Sequence, residues 1–381
     1  MMPAAEYDIK RKDYDRMNTK YAEQIMKKLL GTGTDAVFIS PSNDLRLLLG
    51  FSPFVCERFQ GLFFTADGRH FYICNRLSAD EIRPHLGDIQ LYVWSDCDRY
   101  LDLVETALTR HGLINGRIGV LYHAPGSWLM EIADRCPVTW VSFYKHMNES
   151  RIIKNAQELE NLRQASQITD RAWEDLLGYI RPGRSVSDIS DFLKGRMQEY
   201  GGRSMGCHAY EKKAAGYPHY VMPKISHVME ETDSLLVDFG CTVNGYYSDC
   251  TRTVFLGEVT DKEKELYELV RKANLTAEES LMLGAVCSDV DAAARNVIEE
   301  GGYGEYFTTR LGHGIGINGH EAPDISAVNE IRLQRGMSFT IEPGIYIPGV
   351  IGIRIEDVCI INEDGLPEVL NKTSKELTVI S

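Results

Sequence analysis

The chain carries, from Leu235 to Thr253, the segment LLVDFGCTVNGYYSDCTRT. Asn244-Gly245 stands between two apolar-rich runs, and this dipeptide is a preferred two-residue turn of a β-hairpin. Counting back from the turn pairs Asp238 with Thr251. Because paired residues share a face of the sheet, as do residues two apart, Asp238 and Asp249 are expected to project from one face as diagonal neighbours.

Two carboxylates this close in an apolar segment require a partner if both are to be buried and ionised. A divalent cation meets this requirement, and a protonated dyad or an ion pair with Arg252 are the alternatives. Arg252 follows Thr251 directly, so it is expected to point to the opposite face. The hairpin therefore favours a metal site.

A second pair of carboxylates follows about one hundred residues later. The segments TIEPG (Thr340–Gly344) and GIRIED (Gly352–Asp357) resemble the outgoing and returning arms of the first hairpin. If a pseudo-two-fold relates the two hairpins, all four carboxylates converge. A two-residue turn at Pro348-Gly349 would place Glu342 and Glu356 on opposite faces, so convergence predicts an odd-length loop or a bulge.

A weak internal repeat supports such a symmetry. GRSVSDI (Gly183–Ile189) recurs as GAVCSDV (Gly284–Val290), and each copy leads into a predicted helix that ends near a pair of glycines. The repeat predicts two similar α+β halves, although short helix-start signals also recur by chance.

The segment LGHGIGINGHE (Leu311–Glu321) lies between the two carboxylate pairs and is predicted to form a glycine-rich loop. Imidazole suits transition metals, and glycines let the backbone approach a site closely. Hard oxygens with one nitrogen suit Mn²⁺, Co²⁺, Fe²⁺ or Zn²⁺. The candidate ligands are Asp238, Asp249, one of the two histidines of this segment, Glu342 and Glu356.

The length of 381 residues predicts two domains, because one hydrophobic core rarely grows so large. Short apolar runs and helical patterns over residues 1–150 predict an α/β domain, with a helix over Tyr14–Leu30 and a hairpin at Asp67-Gly68. We find no catalytic motif there. Asn155 followed by Glu158 predicts a capped helix at the start of a second domain over residues 151–381.

The bulk composition narrows the location and the partners. A net charge of −14 argues against nucleic-acid or membrane-surface partners, which favour basic patches. The nine cysteines form no Cys-x-x-Cys pair, which favours reduced thiols. We see no signal peptide or bilayer-spanning segment, so a cytoplasmic protein is expected.

The order and spacing of these motifs resemble the metallopeptidases with the pita-bread fold, which include methionine aminopeptidase, aminopeptidase P and proline dipeptidase (prolidase). The matching motifs are Asp238-Phe-Gly, Tyr247-Ser-Asp249-Cys-Thr-Arg-Thr, Gly312-His313-Gly-Ile-Gly, His320-Glu-Ala-Pro, Ile341-Glu342-Pro-Gly and Gly352-Ile-Arg-Ile-Glu356-Asp. The resemblance runs from about Ile152 to the end. It implies an α+β pita-bread catalytic domain with pseudo-two-fold halves, preceded by the smaller α/β domain of the proline-specific branch.

The resemblance also implies an activity. It points to a metallo-exopeptidase that cleaves the bond before proline in Xaa-Pro dipeptides or short Xaa-Pro peptides, through a hydroxide bridging two divalent cations. Mn²⁺ is the first expectation, with Co²⁺, Fe²⁺ or Zn²⁺ as alternatives, and family analogy suggests a homodimer. A hydrolase of a non-peptide small amide on the same fold and a non-catalytic binding module remain as alternative functions.

By the same resemblance, Asp238 and Asp249 would hold one metal, while Asp249, Glu342 and Glu356 would contact both. His313 would complete the site. Glu342 would also accept the proton of the water.

Two further residues are assigned by the resemblance, and a third by its position on a strand. His219 and His320 match histidines that contact substrate or the tetrahedral intermediate, with His208 and His227 as alternatives to His219. Arg354 shares a face with Glu356 and could orient a ligand carboxylate or contact substrate.

One position departs from the prolidase pattern. Prolidases typically have an arginine four residues after the second histidine, where it helps to bind the proline carboxylate. This chain has Asp324 there. If Asp324 faces the substrate pocket, it would repel a free carboxylate, which favours substrates that extend beyond proline.

Overall fold

The computed structural model describes residues 17–218 and 226–380. The chain forms two compact units, divided between Ser150 and Arg151. Within the described ranges, no helix is both long and apolar enough to cross a membrane.

The first unit is a six-stranded sheet flanked by helices. Its helices are α1 (Thr19–Thr32), α2 (Asn43–Leu49), α3 (Arg76–Leu86), α4 (Tyr100–Arg110), α5 (Gly126–Arg135) and α6 (Tyr144–Arg151). Its strands are β1 (Ala36–Ile39), β2 (Gly61–Thr65), β3 (Phe71–Asn75), β4 (Gln90–Trp94), β5 (Arg117–Val120) and β6 (Thr139–Ser142). The strand order is β4-β3-β2-β1-β5-β6, with parallel pairs at both ends.

Two predictions for this unit can be compared with its structure. The predicted hairpin at Asp67-Gly68 is confirmed, since β2 and β3 pair antiparallel on either side of it. The predicted helix from Tyr14 corresponds to α1, which begins at Thr19 behind the N-cap Asn18. Tyr14 itself lies outside the described residues.

The second unit combines long helices with two main sheets. Its helices are α7 (Ala156–Leu177), α8 (Val186–Glu199), α9 (Asp261–Glu279) and α10 (Cys287–Glu300). The strands are β7 (Arg203–Glu211), β8 (Ser234–Val243), β9 (Tyr246–Tyr247), β10 (Cys250–Leu256), β11 (Gly312–Gly314), β12 (Glu321–Ile325), β13 (Ser338–Ile341), β14 (Gly344–Ile347), β15 (Ile351–Arg354), β16 (Asp357–Ile361), β17 (Pro367–Val369) and β18 (Thr378–Ile380).

The two halves of this unit repeat one plan, which confirms the predicted pseudo-symmetry. Two helices precede each sheet, and the sheet orders are β18-β10-β8-β7, with β9 beside β8, and β12-β11-β13-β16-β17. Helices α8 and α10 each have 14 residues and follow glycines with nearly equal positive φ, 89° at Gly183 and 88° at Gly284. The predicted capping box of Asn155 and Glu158 begins α7.

The first hairpin has the register expected from its sequence. Val243 pairs with Tyr246, and Asp238 pairs with Thr251. A side chain at Gly240 would meet the carbonyl oxygen of Ser248 at 2.1 Å, so only glycine allows the returning arm to approach this closely. The pairing places Asp238 and Asp249 on one face.

The second hairpin has the odd-length loop that convergence of the carboxylates requires. Strands β14 and β15 are joined by a three-residue loop, 348–350, because Ile347 pairs with Ile351. Farther from the loop, Ile341 pairs with Asp357, so Glu342 and Glu356 occupy facing positions. The predicted odd-length loop is therefore confirmed, and no bulge is needed.

The prediction of a loop around the first histidine was wrong. His313 lies in the short strand β11, which pairs with β12 and β13. At Gly312 a side chain would meet the carbonyl oxygen of Thr340 at 2.0 Å, so the glycines bring two strands together here instead of forming a loop. His320 does lie in the connection between β11 and β12.

Candidate metal centre

The two hairpins meet around one cavity of about 1020 Å³. A backbone bridge between Thr251 and Glu356 joins them, and the Glu356 N–H donates to the Thr251 carbonyl at 3.1 Å. The cavity is lined by all five residues that the sequence nominated as ligands. They are Asp238, Asp249, His313, Glu342 and Glu356.

Three of these side chains already form a compact donor set. One donor atom each from Asp249, His313 and Glu356 lies within 4.8 Å of the others. His313 Nε2 is 3.3 Å from Glu342 Oε1 and 3.8 Å from Asp249 Oδ2. A single imidazole nitrogen therefore faces carboxylates from both hairpins.

His313 is neutral and directs an unprotonated nitrogen at the carboxylates. Its Nδ1 lies 3.0 Å from the carbonyl oxygen of Gly314, which can only accept, so this hydrogen bond assigns the proton to Nδ1. Burial lowers the pKa of His313 to about 4, so the ring is neutral near pH 7. Nε2 then presents a lone pair to carboxylate oxygens, and a cation between these acceptors would satisfy both.

The pKa values of three candidate ligand carboxyl groups are also shifted by burial. Burial, followed by the charge of Asp238, raises the pKa of Asp249 well above its usual value. Burial, followed by the charge of Asp249, does the same to the pKa of Glu356. Burial also raises the pKa of Glu342. The site thus offers several carboxylate oxygens and one neutral imidazole, with too little positive charge nearby to neutralise the carboxylates. Such a donor set fits divalent transition metals.

Two threonines support the donors, and the sequence analysis missed both. The Thr340 hydroxyl donates to Glu342 at 3.0 Å and accepts from the His313 N–H at 3.0 Å. The Thr251 hydroxyl donates to Glu356 Oε2 and accepts from Arg354 Nε at 2.9 Å. Each threonine lies two residues from a candidate ligand at the end of its strand, Thr340 from Glu342 and Thr251 from Asp249, so the two-residue spacing carried the signal.

The guanidinium of Arg354 binds a candidate ligand and two side chains beside it. Its Nη2 donates to Asp238 Oδ2 at 2.6 Å and its Nη1 to the Tyr346 hydroxyl at 3.2 Å, in addition to the bond to Thr251. Arg354 therefore contacts Asp238, one of the candidate ligand carboxylates. By contrast, Arg252 points away from the cavity, as its strand position predicted, and binds Asp357 at 2.6 Å.

The other candidate histidines differ in position. The His320 ring stacks on His313 with 3.8 Å between centroids, and burial, followed by the proximity of His313, lowers the pKa of His320 to about 4. His208 pairs with Asp238 across the sheet and lines the cavity. His227 instead binds Asp233 at 2.8 Å. His219 lies outside the described residues.

Asp324 is held by an arginine that the sequence analysis did not consider. Arg310 Nη1 donates to Asp324 Oδ1 at 2.6 Å, and Arg310 Nη2 lies 3.5 Å from His320 Nδ1. Arg310 lines the cavity, whereas Asp324 is not among the described residues that do. No strand or helix period links the two positions, so the pair becomes visible only in the folded chain.

Comparison with known proteins extends the similarity over nearly the whole chain. The sequence model of metallopeptidase family M24 matches residues 160–363. The Xaa-Pro dipeptidase of Lactobacillus delbrueckii subsp. lactis is 34% identical over 379 residues, covering 94% of this chain and 98% of that protein.

Solved structures give the same result. The recombinant prolidase from Thermococcus sibiricus is similar with a TM-score of 0.89 at 28% identity, covering 96% of this chain and 99% of that one. For the X-Pro aminopeptidase from Thermotoga maritima MSB8, the TM-score is 0.80 at 26% identity, with 94% and 99% covered.

Proposed function

Because the chain belongs to metallopeptidase family M24, we propose that it hydrolyses the peptide bond before proline in Xaa-Pro dipeptides or short Xaa-Pro peptides. The observation that carries this proposal is the meeting of two carboxylate pairs around the neutral His313. The names of the similar proteins, Xaa-Pro dipeptidase and prolidase, support the proline preference.

We propose that Asp238, Asp249, His313, Glu342 and Glu356 hold two divalent cations, with Mn²⁺ as the first candidate. Bound there, such ions would lower the pKa of a shared water and polarise the scissile carbonyl. The oxygen-rich donor set supports Mn²⁺, while Co²⁺, Fe²⁺ and Zn²⁺ tolerate the same donors.

The surrounding side chains have distinct tasks in this proposal. Glu342, whose Oε1 lies 3.3 Å from His313 Nε2, would accept the proton of an attacking water. His320 keeps Nδ1 toward the Arg310 guanidinium, which leaves its Nε2–H to donate to the carbonyl oxygen as that oxygen gains negative charge. Thr251 and Thr340 hold the carboxylates in orientation.

The activity is tested with the Mn²⁺-loaded protein and a panel of Xaa-Pro dipeptides, Xaa-Pro-Yaa tripeptides and matched Xaa-Ala dipeptides. We expect hydrolysis of the proline substrates, measured as release of the amino-terminal residue, and much slower hydrolysis of Xaa-Ala. Equal rates on Xaa-Ala would remove the proline preference. Hydrolysis of a simple non-peptide amide without any peptide cleavage would favour the alternative hydrolase.

Metal binding should also be visible in stability. The converging carboxylates repel one another in the metal-free protein, and a ligand at ~100 times its dissociation constant adds about 2.7 kcal/mol to the free energy of unfolding. We expect Mn²⁺ or Co²⁺ to raise Tm and a chelator to abolish activity. Full activity in protein shown by elemental analysis to be metal-free would contradict the two-metal proposal.

A homodimer and a cytoplasmic location stay predictions. Size-exclusion chromatography with light scattering tests the first, and fractionation of cells that express the protein tests the second.

A further inference from the structure

Asn274 is a fully buried residue of α9 whose side-chain amide binds both arms of the second hairpin. Its Nδ2 donates to the carbonyl oxygen of Ile341 at 3.2 Å and to that of Ile355 at 3.3 Å. Its Oδ1 accepts a hydrogen bond from Lys375 Nζ at 2.8 Å. Because carbonyls only accept and an ammonium only donates, these partners fix which end of the amide is the nitrogen. Both N–H groups of the amide are therefore used on the hairpin.

Each of the two carbonyls belongs to the peptide unit directly before a candidate metal ligand, Glu342 or Glu356. The other ends of these peptide units are also held. The Glu342 N–H donates to the Leu311 carbonyl at 2.8 Å. The Glu356 N–H donates to the Thr251 carbonyl at 3.1 Å. Asn274 thus ties the backbone before both glutamates to one point on α9.

The matching position in the other half of the unit shows that the fold does not require an amide here. Gly183 and Gly284 correspond in the internal repeat, and the residues equally far before them are Trp173 in α7 and Asn274 in α9. Trp173 is buried and stacks on Phe239 with 5.4 Å between ring centroids. A buried amide costs desolvation free energy, which its hydrogen bonds offset only while they are made. The amide of Asn274 therefore points to a task at the hairpin.

We propose that Asn274 is a positioning residue that fixes the relative placement of Glu342 and Glu356 and so sets the affinity of the centre for divalent cations. The inference rests on the proposed function, in which both glutamates hold the metal ions. Asn274 is not among the described residues that line the cavity, so it acts through the two glutamates. A shift of the backbone before either glutamate would move its carboxylate out of the donor set.

The test measures the Mn²⁺ affinity of Asn274→Leu, which keeps a side chain branched at Cγ but has no N–H donors. Removing a group that orients metal ligands should weaken Mn²⁺ binding about 10- to 100-fold. Competition with a chromophoric chelator measures this affinity without any substrate. The Mn²⁺ concentration that gives half-maximal activity should rise by the same factor, while KM for an Xaa-Pro dipeptide at saturating Mn²⁺ should keep its wild-type value.

Two further variants separate positioning from a general loss of stability. Asn274→Ala removes the donors without adding bulk and should show the same loss of affinity. Asn75→Leu is the matched control, because Asn75 is a buried amide of the first unit that binds Asp96 at 2.8 Å and the Leu77 N–H at 3.0 Å. It should lower Tm and leave the Mn²⁺ affinity unchanged.

Each outcome decides the role of Asn274. Unchanged affinity in either Asn274 variant, an equal loss in Asn75→Leu, or variants that stay unfolded at saturating Mn²⁺ would overturn the positioning role and leave the proposed function standing. A wild-type protein that binds no divalent cation would overturn the proposed metal centre as well, and this is seen before any variant is compared. If the wild type binds Mn²⁺ but cleaves no Xaa-Pro peptide, the proposed activity fails while the affinities still test Asn274.

Discussion

His313→Ala is expected to lose both metal and activity, whereas His320→Ala is expected to keep its metal and lose kcat by a factor of roughly 10² to 10³. The reason lies in the two stacked rings. His313 directs Nε2 at carboxylates of both hairpins, while His320 lies beyond it, next to Arg310. Elemental analysis and kcat on one Xaa-Pro substrate measure both effects.

A matched control uses a histidine of the first unit that is not among the described residues lining the cavity. His123 is exposed in the first unit, and His123→Ala should change neither the metal content nor kcat. Equal loss of metal in the His313 and His320 variants would show that both rings are ligands. An unchanged kcat in His320→Ala would remove the proposed hydrogen bond to the carbonyl oxygen.

The local geometry of the first hairpin followed from its sequence. A two-residue Asn-Gly turn fixes the register, and the two-residue period of a strand then fixes which side chains share a face. That reasoning placed Asp238 beside Asp249 and turned Arg252 away, and both results hold in the structure. At the second hairpin the same reasoning predicted an odd-length loop or a bulge, and the structure has a three-residue loop.

The long-range charge pairs were beyond sequence reasoning. Arg252 binds Asp357 across the two hairpins, Arg310 binds Asp324, and Lys154 lies 2.6 Å from Glu321 beside His320. Each pair joins elements that only the tertiary fold brings together, and no periodic pattern links their positions. The glycine-rich segment was misjudged for a related reason, because glycine marks loops and close strand contacts alike.

Arg354→Gln is expected to destabilise the metal-free protein by about 3–5 kcal/mol, the usual cost of removing one partner of a buried ion pair. Arg354 is the cation bonded to Asp238 within the carboxylate cluster, and its removal leaves the repulsion among Asp249, Glu342 and Glu356 uncompensated. Urea unfolding with chelator measures the loss. Saturating Mn²⁺ should recover part of it, since the ions replace the missing charge while the lost orientation of Asp238 weakens their binding.

Mn²⁺ should stabilise Arg354→Gln more than it stabilises the wild type, because the electrostatic loss exceeds the loss of metal affinity. Losing a group that orients a metal ligand weakens metal binding about 10- to 100-fold, which is about 1.4–2.8 kcal/mol and less than the electrostatic loss. Arg295→Gln is the matched control, because Arg295 binds the buried Asp291 and no member of the donor set. Its destabilisation should be the same with and without Mn²⁺. If Mn²⁺ stabilises Arg354→Gln no more than it stabilises the wild type, Arg354 does not neutralise the ligand carboxylates.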